Sequence, residues 1–237
     1  MRFPDDPEWS AALAALDAGG YAVLPGLLDP DECRALAALY DDDSAFRSRV
    51  VMARHNFGRG EYKYLRYELP PPVASLRAAL YPRLAPLAND WHRRLRLEPR
   101  FPAALDVWLE RCHEAGQRRP TPLILKYEEG DYNCLHQDLY GEHVFPMQAT
   151  ILLSAPRVDI AGGDFTGGEF VLVETRPRMQ SRAEIVPLGL GDAVIFAVNF
   201  RPVAGTRGDY RVAMRHGVSR VRRGRRFTLG IIFHDAA

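Results

Sequence analysis

The sequence predicts an α+β chain, in which a helical N-terminal layer over residues 1–119 supports an antiparallel sandwich or jelly roll over residues 120–237. Two observations carry this reading. The first part shows helix-spaced apolar residues bounded by capping and stop signals. From Pro120 onward, seven short β-rich runs are separated by Gly, Pro and Asp, with no crossover helices between them. The helices need a cover for their apolar faces, so one domain spanning residues 1–237 is expected.

Ala11, Ala12, Leu13, Ala15 and Leu16 form the first apolar helix, which stops at Gly19-Gly20. A short extended run, Tyr21–Leu24, ends at Pro25-Gly26. Asp29-Pro30 then starts a helix running to about Tyr40, with Asp as N-cap, Pro in the first turn, and Asp31 and Glu32 at the positive end of the dipole. Residues 44–70 mix Arg, Lys and aromatics without a clean period, and form a candidate substrate lid. Helical spacing returns over Val73–Leu97, where Pro82 and Pro86 imply a kink or two pieces. A further helix is expected over Ala103–Ala115. The β-rich runs are 122–127, 144–153, 168–174, 184–188, 193–198, 211–218 and 226–233.

Hydrophobic and charged contents of 47% and 26% are ordinary for a globular protein. No stretch approaches eighteen consecutive apolar residues, so no transmembrane helix is expected. The acidic start MRFPDDPEWS is unlike a signal peptide, which leads to the expectation of a cytoplasmic protein. Cys33, Cys112 and Cys134 have no paired spacing and read as reduced thiols, with Cys33 and Cys112 as small buried hydrophobes. Net charge is +1 but unevenly spread: residues 1–43 carry ten acids against two Arg, and residues 201–226 carry nine Arg against Asp209. Such a basic end suits an anionic partner or a solvated face.

His136-Gln137-Asp138 is the central motif. In an extended segment, residues two apart share a face, so the imidazole and carboxylate can bind one metal from one side. His216, on a distant run, can complete a set of two histidines and one carboxylate with open positions, which suits Fe(II) oxygenases. Ten residues later, Phe227, Leu229, Ile231 and Phe233 form one apolar face of a strand, while Arg226 and Thr228 share the other. A guanidinium and a hydroxyl on one face make a receptor for a carboxylate. Arg225, by parity, belongs to the outward set.

These motifs resemble those of the Fe(II)/2-oxoglutarate-dependent dioxygenases, whose double-stranded β-helix (jelly-roll) core carries HxD, a distant His and a late Arg-x-Ser/Thr. The resemblance extends through Tyr127–Tyr132, similar to the Tyr-x-x-Gly lead-in of the prolyl-hydroxylase branch. It continues through Gly167–Phe170, Gly191–Phe196, His216–Val218 and Gly224–Phe227. It implies His136, Asp138 and His216 as iron ligands and catalytic centre, Arg226 and Thr228 as receptor for the distal carboxylate of 2-oxoglutarate, and O2 as co-substrate. Tyr127 is either a hydroxyl partner to that carboxylate or a core tyrosine. The implied chemistry is oxidative decarboxylation of 2-oxoglutarate coupled to oxidation of an unactivated C–H bond.

The neighbouring residues are assigned lesser roles. His143 reads as a loop or substrate-side residue, with a substitute ligand as the alternative. Cys134 shares parity with His136 and Asp138 and is expected to pack in the barrel interior. Glu169 and Asp164 read as solvated acids; His55, His92 and His113 sit in the helical part, and His234, at the end of the last strand, is too near the terminus to be placed.

Two stretches bear on the substrate. Arginines 201–225 flank His216, with Arg222 and Arg223 adjacent, and Tyr62-Lys63-Tyr64-Leu65-Arg66-Tyr67 interleaves cations with aromatics. Cations can hold phosphates while rings stack on unpaired bases. Tyr62, Lys63, Tyr64, Arg66, Arg222 and Arg223 are therefore the candidate substrate contacts. The whole chain also looks similar to a bacterial group assigned to oxidative demethylation of damaged nucleic acid. That implies methylated DNA or RNA as partner and oxidation of nucleobase methyl groups. A hydroxylase of a protein side chain or small molecule, and a non-catalytic metal-binding jelly roll, are the alternatives.

Overall fold

The computed structural model describes residues 1–98, 100–156 and 162–237. Four α-helices precede most of the β structure: α1 (Asp6–Gly19), α2 (Pro30–Ala38), α3 (Pro71–Leu95) and α4 (Leu105–Glu114). The first two open with complete capping boxes, Asp5 with Glu8 and Asp29 with Glu32, each satisfying two backbone donors reciprocally. Gly20, at φ 83°, closes α1 in the left-handed conformation. Pro82 and Pro86 both lie inside one continuous α3, so the region is not divided into two pieces. Burial of Leu76, Leu80, Leu84 and Trp91 along that helix outweighs the two missing N–H donors, each costing about 3 kcal/mol in an isolated helix.

The strands are β1 (Tyr21–Leu24), β2 (Phe46–Val51), β3 (Gly58–Arg59), β4 (Glu61–Leu65), β5 (Leu123–Tyr127), β6 (Tyr132–His136), β7 (Met147–Leu152) and β8 (Phe165–Gly167). They continue with β9 (Phe170–Thr175), β10 (Arg182–Val186), β11 (Ala193–Ala197), β12 (Phe200–Gly205), β13 (Gly208–Val218), β14 (Val221–Gly224) and β15 (Arg226–Ile232). One sheet runs β1-β11-β7-β15-β5-β4-β2, and a second runs β10-β9-β13-β6-β3 with β12 on β13. A third, two-stranded ribbon pairs β14 with β8. The pairings within these sheets are antiparallel. All seven anticipated runs appear as strands.

Residues 44–70 are not a separate cover. They supply β2 and β4, which extend the large sheet by pairing β4 with β5, and β3, which pairs with β6. Their periodicity is hidden because both faces of β4 are covered. Leu65 packs in the main core, while Tyr64 packs with Leu123 and Ile232 on the other face. The helices and the large sheet share one apolar cluster, in which Leu80, Trp91 and Trp108 join Ile151, Leu229 and Phe233. No helix among the described residues is long and apolar enough to cross a membrane.

Candidate metal and cosubstrate site

Between the two sheets lies a cavity of about 210 Å³, with β5, β7 and β15 on one side and β6, β9 and β13 on the other. His136, Asp138 and His216 meet on its small-sheet wall, their ligand atoms all within 4.8 Å of one another. Nε2 of His136 is 3.5 Å from Asp138 Oδ1, and Nε2 of His216 is 3.3 Å from Asp138 Oδ2. Asp138 and His216 are buried, and His136 is partly open to the cavity.

A β-bulge aims His136. His216 pairs with His136, yet Val218 pairs with Asn133, so two residues of β6, Cys134 and Leu135, oppose one of β13, Gly217. The extra residue reverses the alternation, and both Asn133 and His136 line the cavity. Cys134, expected inside by parity, is exposed for this reason. Its carbonyl oxygen lies 2.8 Å from His136 Nδ1 and accepts the Nδ1–H proton, leaving the Nε2 lone pair free toward the triad.

The electrostatics keep Asp138 ionised and push the two imidazoles in opposite directions. Burial opposes the Asp138 charge, but hydrogen bonds and charge from His136 and His216 hold its carboxyl well below the usual carboxylate range. Burial also opposes a charged His136, and Asp138 outweighs it to raise that imidazole. Burial, reinforced by the charge of His136, lowers His216.

Arg226, Thr228, Gly230 and Ile232 line the same cavity from β15, while Leu229, Ile231 and Phe233 face the core. Arg226 is 1% exposed and donates to Thr228 Oγ1 at 2.6 Å. Its Nε has no partner among the described residues, and its guanidinium carbon lies 5.6 Å and 5.8 Å from the Tyr127 and Phe165 ring centroids. Burial pulls its pKa down to about 10. A buried guanidinium with no carboxylate against it is costly, and such a group fits an anion supplied from outside the chain. Tyr127, fully buried beside Arg226 in register, lines the cavity and its hydroxyl accepts from Asn133 Nδ2 at 3.4 Å. Arg225 points outward, toward Glu128.

The expected substrate residues separate. Tyr62 lines the cavity. Lys63 does not serve as a free cation: it is buried, and its Nζ donates to the Tyr40 carbonyl and to Asp43, each at 2.7 Å. Tyr64 is also buried, under the Arg47 guanidinium at 4.4 Å. Strand alternation sends Lys63 inward because the far face of β4 is covered too. Arg66, Arg222 and Arg223 are exposed. His143 has its ring centroid 5.6 Å from that of Trp108 and is outside the triad. His113 and His234 belong to structural contacts, with Asp235 and with the Phe145 N–H respectively.

The sequence reading passed over three groups. Tyr140 and Gln148 hydrogen-bond to Asp138, and Gln148 and Thr150 are the polar residues of an otherwise apolar buried strand, a signal visible in Met147–Leu152. The third is the cavity mouth. There Phe57, 47% exposed, stacks on His55 with ring centroids 5.3 Å apart, beside the exposed Leu139.

A family model described as an oxygenase catalysing oxidative methylation of damaged DNA matches residues 60–236. The chain belongs to this oxygenase family. An uncharacterised Mycobacterium tuberculosis protein is 50% identical to this oxygenase over 165 residues, covering 70% of the chain and 69% of the relative. Among solved structures, a Pseudomonas putida prolyl-4-hydroxylase is similar at TM-score 0.54 and 17% identity, over 97% of this chain and 99% of that one. A 2-oxoglutarate–Fe(II) oxygenase-family oxidoreductase from Burkholderia pseudomallei is similar at TM-score 0.52 and 16% identity, over 100% and 96%. The oxygenase is thus built on the fold of the 2-oxoglutarate–Fe(II) enzymes, with the double-stranded β-helix core expected of it.

Proposed function

We propose that this oxygenase uses Fe(II), 2-oxoglutarate and O2 to oxidise methyl groups on nucleobases of damaged DNA or RNA. The observation that carries the reading is that one cavity holds both the His136–Asp138–His216 set and the unpaired guanidinium of Arg226. The donor set, two imidazoles and one carboxylate, suits iron with open positions. Arg226 and Thr228, with the hydroxyl of Tyr127 nearby, would receive the distal carboxylate of 2-oxoglutarate. Bound Fe(II) and 2-oxoglutarate supply O2 activation and the oxidation of an unactivated C–H bond, with succinate and CO2 as co-products.

The chain's own residues bind and place. Lowering of His216 by burial keeps that imidazole neutral, as a ligand must be. The apolar surround, including Phe170 and Phe196 against His216, keeps water from the site. Oxidation of an N-methyl group gives an N-hydroxymethyl group, which breaks down to the N–H base and formaldehyde. The net result on the base is loss of the methyl group.

The family description and the cavity mouth both support a nucleobase substrate. Phe57 and His55 offer a flat stacking surface beside the cavity, which suits a base taken out of its stack. Arg59 lies two residues from Phe57, on a strand paired with Tyr132, and Arg220 sits 5.3 Å over the Tyr132 ring. These two cations, near Phe57 in chain and in strand pairing although Arg59 also faces Asp131 at 3.8 Å, are where we would run a phosphate backbone.

The test follows succinate from the Fe(II)-loaded protein with 2-oxoglutarate and O2, in the presence of methylated oligonucleotides, of peptides, or of neither. Turnover stimulated by methylated oligonucleotides, with formaldehyde released, is expected. Stimulation by peptides only would overturn the substrate reading, and no succinate from iron-loaded protein under any condition would overturn the cosubstrate reading.

A further inference from the structure

Both oxygens of the Asp138 carboxylate are held by neutral donors. Tyr140 Oη donates to Oδ1 at 2.7 Å, and Gln148 Nε2 donates to Oδ2 at 2.8 Å. The same Gln148 nitrogen lies 3.2 Å from His216 Nε2, so one amide group reaches both the carboxylate and the triad-facing nitrogen of the imidazole. The orientation of this amide is set by chemistry: exchanging its N and O would place a carbonyl oxygen against a carboxylate oxygen.

The placement is structurally unusual. Gln148 stands on β7, between Phe196 of β11 and Ile232 of β15, in the large sheet. His216 is on β13, in the small sheet, and Asp138 lies just beyond β6 of that sheet. Gln148 therefore ties two candidate ligands of one sheet to the opposite wall. It is 6% exposed, in a strand buried along its whole length, and its Oε1 has no partner among the described residues. A buried amide with one unsatisfied end costs stability relative to an apolar residue of the same size. Tyr140 is braced in turn by Tyr64, whose ring meets it edge-on at 6.4 Å.

We infer that Gln148 and Tyr140 are positioning residues that hold the metal-free triad in its binding arrangement, an inference that rests on the triad being the iron centre. Tyr140 and Gln148 together fix the plane of the Asp138 carboxylate. Gln148 also holds the ligating nitrogen of His216 against that carboxylate until a metal arrives. Its hydrogen bond to Asp138 can persist once the lone pair of His216 is taken, whereas its contact with His216 Nε2 is given up. Outer partners of this kind commonly set metal affinity as well as ligand orientation.

The experiment is Co(II) binding to the full chain, read by calorimetry and by the visible d–d band. It compares the wild type with Tyr140→Phe, Gln148→Met and the control Thr150→Val. Thr150 shares the strand and face of Gln148, but its hydroxyl donates to the Leu229 carbonyl and not to the triad. Tyr140→Phe and Gln148→Met should each weaken Co(II) binding by about 10- to 100-fold and alter the band, while the control binds as the wild type does. The melting temperature of each metal-free variant shows that the fold is kept. Affinity within about threefold of wild type in both variants, with an unchanged band, overturns the inference while leaving the iron-centre reading intact. Absence of Co(II) and Fe(II) binding by the wild type overturns the iron-centre reading and the inference with it.

Discussion

Replacing Arg226 by Met separates two roles that a buried arginine can play. The guanidinium is 1% exposed, bonds Thr228, and meets no carboxylate among the described residues. If it served the fold, its loss would destabilise the protein. If it serves as a receptor, the ligand-free protein holds a desolvated charge that no carboxylate pairs, and Met, of similar length and apolar, relieves that cost. Arg226→Met should therefore leave the melting temperature of the ligand-free protein unchanged or raise it. The loss should fall on 2-oxoglutarate. Removing one partner of a buried, hydrogen-bonded charge pair costs about 3–5 kcal/mol. The lower figure applies here, because Thr228 and Tyr127 remain to meet the carboxylate. At about 1.4 kcal/mol per decade, that is a loss of about 100-fold in 2-oxoglutarate affinity. Calorimetric titration of the anaerobic Fe(II) protein measures it directly, and the KM for 2-oxoglutarate in the succinate assay should rise in parallel. An affinity within about threefold of wild type, with iron still bound, would refute the receptor assignment. So would a large fall in melting temperature.

Three further outcomes are expected. His234 is buried, with Nδ1 accepting the Phe145 N–H, and burial pushes its pKa down to about 3. The unfolded chain takes up this proton near pH 6.5 and the folded chain does not, so stability falls as pH drops from about 6.5 toward 3, at up to about 1.4 kcal/mol per pH unit. Between pH 6.5 and 5, urea unfolding of the wild type should lose about 2 kcal/mol more than that of His234→Gln, and equal losses would exclude this residue as the source. Phe57→Ala should reduce turnover of methylated oligonucleotides about tenfold through KM, with 2-oxoglutarate affinity unaltered; unchanged KM would remove Phe57 from the substrate path. Arg222→Ala combined with Arg223→Ala should lower the slope of log affinity against log salt for a single-stranded oligonucleotide by about 1.4, and an unaltered slope would make the pair ordinary surface.

What could be read from the sequence, and what could not, follows from how local each signal is. The N-cap at Asp29 is read within four residues of chain and stands in the structure, whereas the equally local capping box at Asp5, which starts the first helix five residues before Ala11, went unread. The alternation of β15 is also local, because one face meets the core and the other the cavity. Arg226 and Thr228 were therefore legible as a pair. Residues 46–65 were not legible, since a strand covered on both faces loses its polar–apolar rhythm, and the same covering took Lys63 out of the candidate interface. Tyr140 and Gln148 escaped notice for a different reason. Tyr140 meets Asp138 within an irregular connection that carries no periodic signal, and the Gln148 contact exists only once the two sheets face each other.

The HxD motif shows how a reading that brings His136 and Asp138 to one place can rest on incomplete geometry. Regular alternation places Cys134, His136 and Asp138 on one face, and it would place Asn133 on the other. The structure has Asn133 and His136 in the cavity and Cys134 in solvent, because β6 carries one residue more than β13 opposite it. That extra residue is not a defect in the strand. It brings the Cys134 carbonyl within hydrogen-bonding distance of His136 Nδ1, which fixes the tautomer that a metal ligand requires. A regular strand would keep the spacing of His136 and Asp138 but lose the internal acceptor that turns the imidazole. The bulge is thus what converts a two-residue spacing into an oriented pair of candidate ligands, and only the pairing register with His216 and Val218 reveals it.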